Sequence, residues 1–284
     1  MKITSKKVSL FLILLLIVSL ISYIPHKDFL KEDFSVHYID VGQGDATLIK
    51  GKDKNLLIDS GPLEGSRELI KYLKKVKVKK IDYIIATHAH LDHIGAMPSL
   101  IGEFPVDYFF ITKNKEKSSF YMNLLKNIKD KNIKLKILSE EGILPIDLGK
   151  NSKVYLLSKY SEDYDNINNT SPLLKIYYGK TSFLFTGDME REAEKLYASL
   201  DINLKSDVLK VAHHGSDTSS TEEFLNKVNP KVSIISSGLD NPYGHPSKET
   251  LKKLSNLKSK IFKTYEDGNI ILSSNGNFIK KHKN

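Results

Sequence analysis

Apolar and polar positions follow two different periods along this chain. Short β-branched and apolar runs predict strands at Ser35–Asp40, Ala46–Lys50, Asn55–Asp59, Asp82–Thr87, Val106–Ile111, Lys134–Leu138 and Lys153–Leu157. Further runs predict strands at Leu173–Tyr178, Ser182–Thr186, Asp207–Ala212, Lys231–Ser236, Lys260–Lys263, Asn269–Leu272 and Asn277–Lys281. Between them, helical spacing predicts Glu64–Val76, Ile94–Glu103, Ser118–Lys131, Glu190–Leu200, Thr221–Val228 and Ser247–Leu257, with Thr221 and Ser247 as N-caps. Gly51–Lys54, Gly179-Lys180 and Ser274–Gly276 read as hairpin turns. Strands alternating with helices define an α/β protein.

One plan occurs twice. Residues 45–61 run strand, turn, strand and then an acidic corner, TLIKGKDKNLLIDSG; residues 173–188 repeat it as LLKIYYGKTSFLFTGD. Each hairpin ends on an aspartate, Asp59 or Asp188. Two related halves, with sheets packed together and helices outside, would bring both carboxylates to one edge. No Pro- or Ser-rich stretch divides residues 35–284, which read as one catalytic domain preceded by a linker at 25–34.

Residues 1–24 follow a different pattern. Lys2, Lys6 and Lys7 precede a continuous apolar run of 17 residues, Val8–Ile24, at the short limit for crossing a bilayer. No small-x-small cleavage site follows it and no lipobox cysteine exists. The reading is an uncleaved anchor helix rather than a cleaved signal peptide, with its lysines cytoplasmic and the domain outside the cell membrane.

Composition narrows the chemistry. The 284 residues contain no cysteine, which excludes thiolate metal sites, cysteine nucleophiles and disulfides. Metal would have to be held by histidine and carboxylate. The net charge is +9, and removing the three anchor lysines leaves +6. Such an excess suits a polyanionic substrate or an anionic surface, although composition alone favours the simpler reading of solvated lysine faces. Only Arg67 and Arg191 are arginine.

The densest chemistry is Thr87-His88-Ala89-His90-Leu91-Asp92-His93, directly after an apolar strand. At a strand exit His88 and His90 point to one side, because side chains alternate with period two. Asp92 and His93 fall on the turn into the next helix and can face a second centre. Imidazole and carboxylate suit zinc, manganese and iron. No G-x-S-x-G elbow and no P-loop occur.

H-x-H-x-D-H after a strand is the hallmark of the metallo-β-lactamase superfamily, which this chain resembles. Asp40–Asp45 (DVGQGD), Leu57–Gly61 (LIDSG), Asn168–Ser171 (NNTS), Leu184–Asp188 (LFTGD), His213–Ser216 (HHGS) and Asn241–Pro246 (NPYGHP) follow in that order. Together, over residues 35–270, they resemble the extracytoplasmic metallo-β-lactamase domain of ComEC-type competence proteins.

The resemblance implies an αβ/βα four-layer sandwich and two divalent metal ions, Zn2+ or Mn2+. His88 and His90 would hold one metal, Asp92 and His93 the other, and Asp188 would bridge them. A further histidine would complete a site; His213, at the exit of strand Asp207–Ala212, is the choice. His214 would point elsewhere, toward a phosphate or leaving group, with His245 its rival and Asp92 shared with the metal. Asp59 would orient a ligand histidine from behind. Gln43 and Asp45 lie on a glycine-flexible loop at the same edge. Asn169 and Ser171 are turn residues or site residues. The family often has aspartate where His90 stands. The superfamily's third-motif histidine is absent, with Asn168 and Asn169 in that region, so one metal is expected to be under-ligated. ComEC proteins also carry a polytopic channel, which a chain with at most one span cannot form.

The function expected from this resemblance is a membrane-anchored phosphodiesterase or nuclease acting on DNA, through a hydroxide shared by two metals. Lysines of Lys71–Lys80 and Lys126–Lys136 are candidates to track phosphates, against the simpler reading of solvated helix faces. The alternatives are a hydrolase of an envelope phosphodiester, phosphonate or lactone, and a non-catalytic module binding DNA or an envelope polymer. The membrane and single-stranded DNA are the expected partners; no protein partner follows from the sequence.

Overall fold

The computed structural model describes residues 34–157 and 165–282. The apolar run at 8–24 lies outside them, and among the described residues no helix is long and apolar enough to cross a membrane.

Two sheets face each other. In the first, the strands are β1 (Ser35–Tyr38), β2 (Thr47–Lys50), β3 (Asn55–Ile58), β4 (Ile81–Ala86), β5 (Val106–Thr112), β6 (Lys134–Leu138), β14 (Ile270–Ser274) and β15 (Ile279–Lys281). Their spatial order is β15-β14-β1-β2-β3-β4-β5-β6. The second sheet holds β7 (Gly142–Ile143), β8 (Ser152–Leu156), β9 (Leu174–Tyr178), β10 (Thr181–Phe185), β11 (Val208–Lys210), β12 (Val232–Ile235) and β13 (Lys260–Lys263). Its order is β13-β12-β11-β10-β9-β8-β7. Each sheet joins an antiparallel part to a parallel part, β3 to β6 in one and β10 to β13 in the other. Strands in the parallel parts are covered on both faces, and β4 accordingly has all six residues buried, apolar but for Asp82.

Helices α1 (Ser66–Lys75), α2 (Leu91–Ile94), α3 (Met97–Glu103) and α4 (Ser119–Asp130) lie on the first sheet. Helices α5 (Arg191–Ser199), α6 (Glu222–Val228) and α7 (Lys248–Asn256) lie on the second, and α8 (Thr264–Asp267) is one short turn after β13. One apolar cluster fills the space between the sheets and one lies under each helical layer, which makes four layers. Phe34, assigned by sequence to the linker, is buried in the central cluster and stacks on Tyr178 at 4.5 Å.

The duplicated plan is visible in space. Hairpins β2–β3 and β9–β10 both lead to an aspartate, Asp59 and Asp188, at the end of the strands where β4 also finishes. The helix expected at Ile94–Glu103 is instead two pieces, α2 and α3. A Cβ on Gly95 would meet the Leu63 backbone at 2.5 Å, so the loop from the first acidic corner packs directly on this break. The strand β7 was not anticipated, because two residues carry no period.

Candidate metal centre

The exit of β4 brings Thr87 and His88 under the second sheet. Asp59 takes Thr87 with both oxygens, accepting from its N–H at 2.8 Å and from its hydroxyl at 2.7 Å. The same carboxylate meets His93 Nδ1 at 2.8 Å. This fixes the ring and aims Nε2 of His93 at Asp188, 3.1 Å from its Oδ2. His93 is thus gripped between the two acidic corners. Burial alone would depress its pKa, yet Asp188 and Asp59 raise it well above the ordinary range.

Asp92, His93, Asp188 and His214 each present a ligand atom, all within 4.8 Å of one another. His214 Nε2 lies 3.2 Å from Asp92 Oδ2 and 3.3 Å from Asp188 Oδ2, while its Nδ1 meets the Ser236 carbonyl at 2.9 Å. Against their burial, His214 and His93 hold Asp188 well below the usual carboxylate range. His88 and His90 do share a side, with Nε2 and Nδ1 facing each other at 3.1 Å, and His88 Nε2 is 3.9 Å from Asp188. Burial and the neighbouring His93 ring drive the His88 pKa down, leaving a neutral ligand nitrogen.

The neighbouring histidines are placed the other way round from the expected assignment. His214, not His213, joins the four-residue group. Strand β11 ends at Lys210, and both histidines adopt left-handed backbone, φ 48° and 53°, so strand alternation does not extend to them. His213 turns to the rim, with Nδ1 3.2 Å from Thr218 Oγ1 and 3.5 Å from Glu190, and Nε2 3.9 Å from Asp188. His245 lies beside it, ring centroids 5.6 Å apart.

The glycine-flexible loop lies against this group. A Cβ on Gly44 would strike the Asp92 carbonyl at 2.2 Å, at φ +138°, so only glycine fits there. Asp45 N–H donates to that carbonyl at 3.1 Å. Gln43 accepts from the Gly238 N–H at 3.1 Å and lines the cleft. Asp45 itself is buried, with Oδ1 3.5 Å from His214 Nδ1 and Oδ2 2.6 Å from Lys210 Nζ. Ser171 accepts from the Asp188 N–H at 3.1 Å and reaches His88 Nδ1 at 3.4 Å. Asn169 accepts from the Glu190 N–H and Asn168 donates to the Glu190 carboxylate at 2.7 Å, so both organise the rim segment.

Sequence reading missed three residues here. Thr87 and Glu190 carried no signal beyond their neighbours. Lys210 did carry one, a lysine inside the apolar strand VLKVA.

The donor set fits divalent metal. His93 Nε2 faces Asp188 Oδ2 without hydrogen-bond geometry, and Asp188 Oδ1 and Asp45 Oδ1 are buried without a hydrogen-bond partner. Such orphaned atoms are costly unless something satisfies them. Histidine and carboxylate with two unsatisfied inward atoms is a cation-binding arrangement. It forms the floor of an open cleft of about 510 Å³, walled by Gln43, Pro62, Leu91, His213, Tyr243 and His245.

Sheets, outer helices and a histidine–carboxylate group at the strand ends place the chain in a class, and the family model agrees: residues 39–119 and 162–238 match, and the chain belongs to the metallo-beta-lactamase superfamily. It is 31% identical over 259 residues to ComE operon protein 3 of Bacillus subtilis (strain 168), covering 85% of this chain and 33% of that one. It is 30% identical to Recombination protein 2 of Haemophilus influenzae, covering 86% of this chain and 29% of the other. The chain therefore spans about a third of the length of these curated relatives. The metallo-beta-lactamase fold protein YhfI from Bacillus subtilis superposes with a TM-score of 0.53 at 13% identity, covering 88% of this chain and all of that one, and shares the fold.

Proposed function

We propose that the chain is a metal-dependent phosphodiesterase that cleaves single-stranded DNA outside the cytoplasmic membrane in a competence-related process. The observation that carries it is the cleft floor: Asp92, His93, Asp188 and His214 converge beneath an opening of about 510 Å³. The competence relatives favour DNA as the phosphodiester.

Asp92, His93, Asp188 and His214 would hold one divalent ion, and His88 and His90, sharing Asp188, a second, with zinc or manganese suiting the donors. Ions held there supply polarisation of a phosphoryl oxygen and a water acidic enough to react at neutral pH. The protein's own part is distinct. Asp59 and Ser236 fix the rings of His93 and His214, so each offers one nitrogen in one orientation. His213 and His245 stand at the mouth of the cleft, beside the position of the departing oxygen. Burial and the nearby imidazoles keep His245 below the ordinary histidine range. Tyr243, 67% exposed and stacked beside His245, offers a face for a base.

A second reading has its own observation. Glu190, 3.5 Å from His213, and Asp217, whose charge acts on His245, stand beside the cleft, where they repel a long polyanion and are harmless to a small ester. Hydrolysis of an envelope phosphodiester, phosphonate or lactone fits that rim.

Full-length protein loaded separately with zinc and manganese is to be assayed on single-stranded DNA and on bis-p-nitrophenyl phosphate. DNA cleavage that falls steeply with salt and is lost in Asp188→Ala and His214→Ala is the expected result. Turnover of the small diester alone would transfer the function to the second reading. Inertness toward both, with metal bound, would leave lactones and then the non-catalytic module.

A further inference from the structure

Charge is segregated along the strand axis. The metal group sits where β4, β10 and β11 finish. The opposite end is built from residues 50–55, 76–81, 103–106, 129–134, 147–153, 179–181, 200–207, 227–231, 256–260 and 275–280. The two sheets meet there through Lys180 N–H to Gly276 carbonyl at 2.6 Å and Lys54 to Asp147 at 3.4 Å. These segments hold 18 lysines and 6 acids, and 15 of the lysines are exposed. At the metal end, loops 39–46, 59–65, 87–92, 112–119, 186–192, 212–223, 236–249 and 264–269 hold 16 acids and 5 basic residues. Solvated lysine faces would be scattered over the molecule; these are gathered at one pole. The lysine runs considered for phosphate tracking end there too, on the wrong side of the molecule for the cleft.

The basic pole also has an apolar centre. A groove of about 390 Å³ opens between the sheets there, lined by Phe262, Phe278 and Ile279 with Lys231 and Lys260 beside them. Phe278 is 64% exposed at the tip of the β14–β15 turn. The chain enters the fold at this same pole, since the Phe34 carbonyl accepts from Ser274 N–H at 3.0 Å. Only nine residues, 25–33, separate Phe34 from the apolar run at 8–24. Fully extended they reach at most about 32 Å.

We propose that this pole is a docking face for an anionic bilayer surface, with Phe278 seated among the headgroups and the metal cleft held outward. Exposed lysines around an aromatic centre are the chemistry of interfacial binding. Neither arginine lies in these segments. Arginine is the residue favoured for bidentate phosphate recognition, whereas dispersed lysine gives the diffuse attraction a charged surface requires. The proposal uses the anchor reading for where the chain meets the bilayer, not for the attraction.

The chain has no cysteine, so one introduced thiol labels uniquely. Full-length protein carrying Asn277→Cys, or separately Asp240→Cys, is labelled with a fluorophore. It is mixed with vesicles of phosphatidylcholine alone, or with added phosphatidylglycerol, both containing headgroup spin labels. Quenching at 277 but not at 240 is expected, confined to the anionic vesicles. It should be lost in roughly 1 M salt, where screening acts within about 3 Å, and lost in the triple variant Lys231→Glu, Lys260→Glu, Lys280→Glu. Equal quenching at both positions, or quenching at 277 that ignores lipid charge and salt, overturns the proposal. So does a single-stranded oligonucleotide that displaces the vesicles from 277 and shields it. Flotation with anionic but not neutral vesicles supports docking while removing the anchor. Flotation with both, without salt-sensitive quenching at 277, keeps the anchor and overturns docking.

Discussion

His93 shows how single residues build the centre. Asp59 fixes one ring nitrogen at 2.8 Å and leaves the other facing Asp188 at 3.1 Å. Removing the charge of Asp59 frees the ring without removing a ligand, so Asp59→Asn should weaken metal affinity by roughly 10–100-fold, measured by competition titration with a chromophoric chelator. Lys210 and Asp45 form a second support. Their side chains are 2% and 5% exposed and 2.6 Å apart. Lys210→Met should destabilise the fold by roughly 3–5 kcal/mol in urea unfolding, because Asp45 is left as a buried unpaired charge. Adding Asp45→Asn should recover much of that loss. The H-x-H-x-D-H cluster was legible from its residue types and their spacing directly after β4, although β4 ends at Ala86 and both His88 and His90 lie beyond it. The choice between His213 and His214 was not, because two consecutive left-handed residues follow no sequence period. Lys210 was legible in principle, as a charge in an apolar strand, and went unused because its partner lies 165 positions away.

At the scale of elements, hydrophobic period located the strands and most helices, while their ends followed local chemistry. Ser247 caps α7 as expected, accepting from Thr250 N–H at 3.1 Å. Ser247→Ala should cost about 1 kcal/mol in thermal or urea unfolding. Thr221 stands at the start of α6 without capping it. Glu194 of α5 does so instead, accepting from the N–H groups of Ser220 at 2.8 Å and Thr221 at 2.6 Å. That contact joins two helices 27 residues apart and leaves no mark in the local sequence. His37 ties β1 to α1 through Tyr72 at 2.8 Å. Burial first, then Lys50 and His282, push its pKa down to about 3. The unfolded chain takes up this proton near pH 6.5 and the folded one does not. The stability contributed is therefore complete above pH 6.5. It declines as pH falls toward 3, by up to about 1.4 kcal/mol per pH unit. His37→Gln should flatten the dependence of unfolding free energy on pH across that window.

At the scale of the molecule, the duplicated hairpin plan was the informative signal. Two hairpins ending in aspartate implied two facing sheets with both carboxylates at one edge, and Asp59 and Asp188 indeed grip the two nitrogens of one histidine. The polar distribution of lysines was not legible from the +9 net charge, because a sum carries no direction. It appears only when the turns are sorted by sheet end, and it separates the lysine runs from the cleft they were considered to serve. The account depends on one assignment above the others, that Asp92, His93, Asp188 and His214 form a metal site with His213 outside it. Metal content after gel filtration, measured for the parent chain, His214→Ala and His213→Ala, tests this directly. The account predicts that His214→Ala loses an equivalent of bound metal while His213→Ala retains the parent stoichiometry. Loss in His213→Ala with retention in His214→Ala would contradict it.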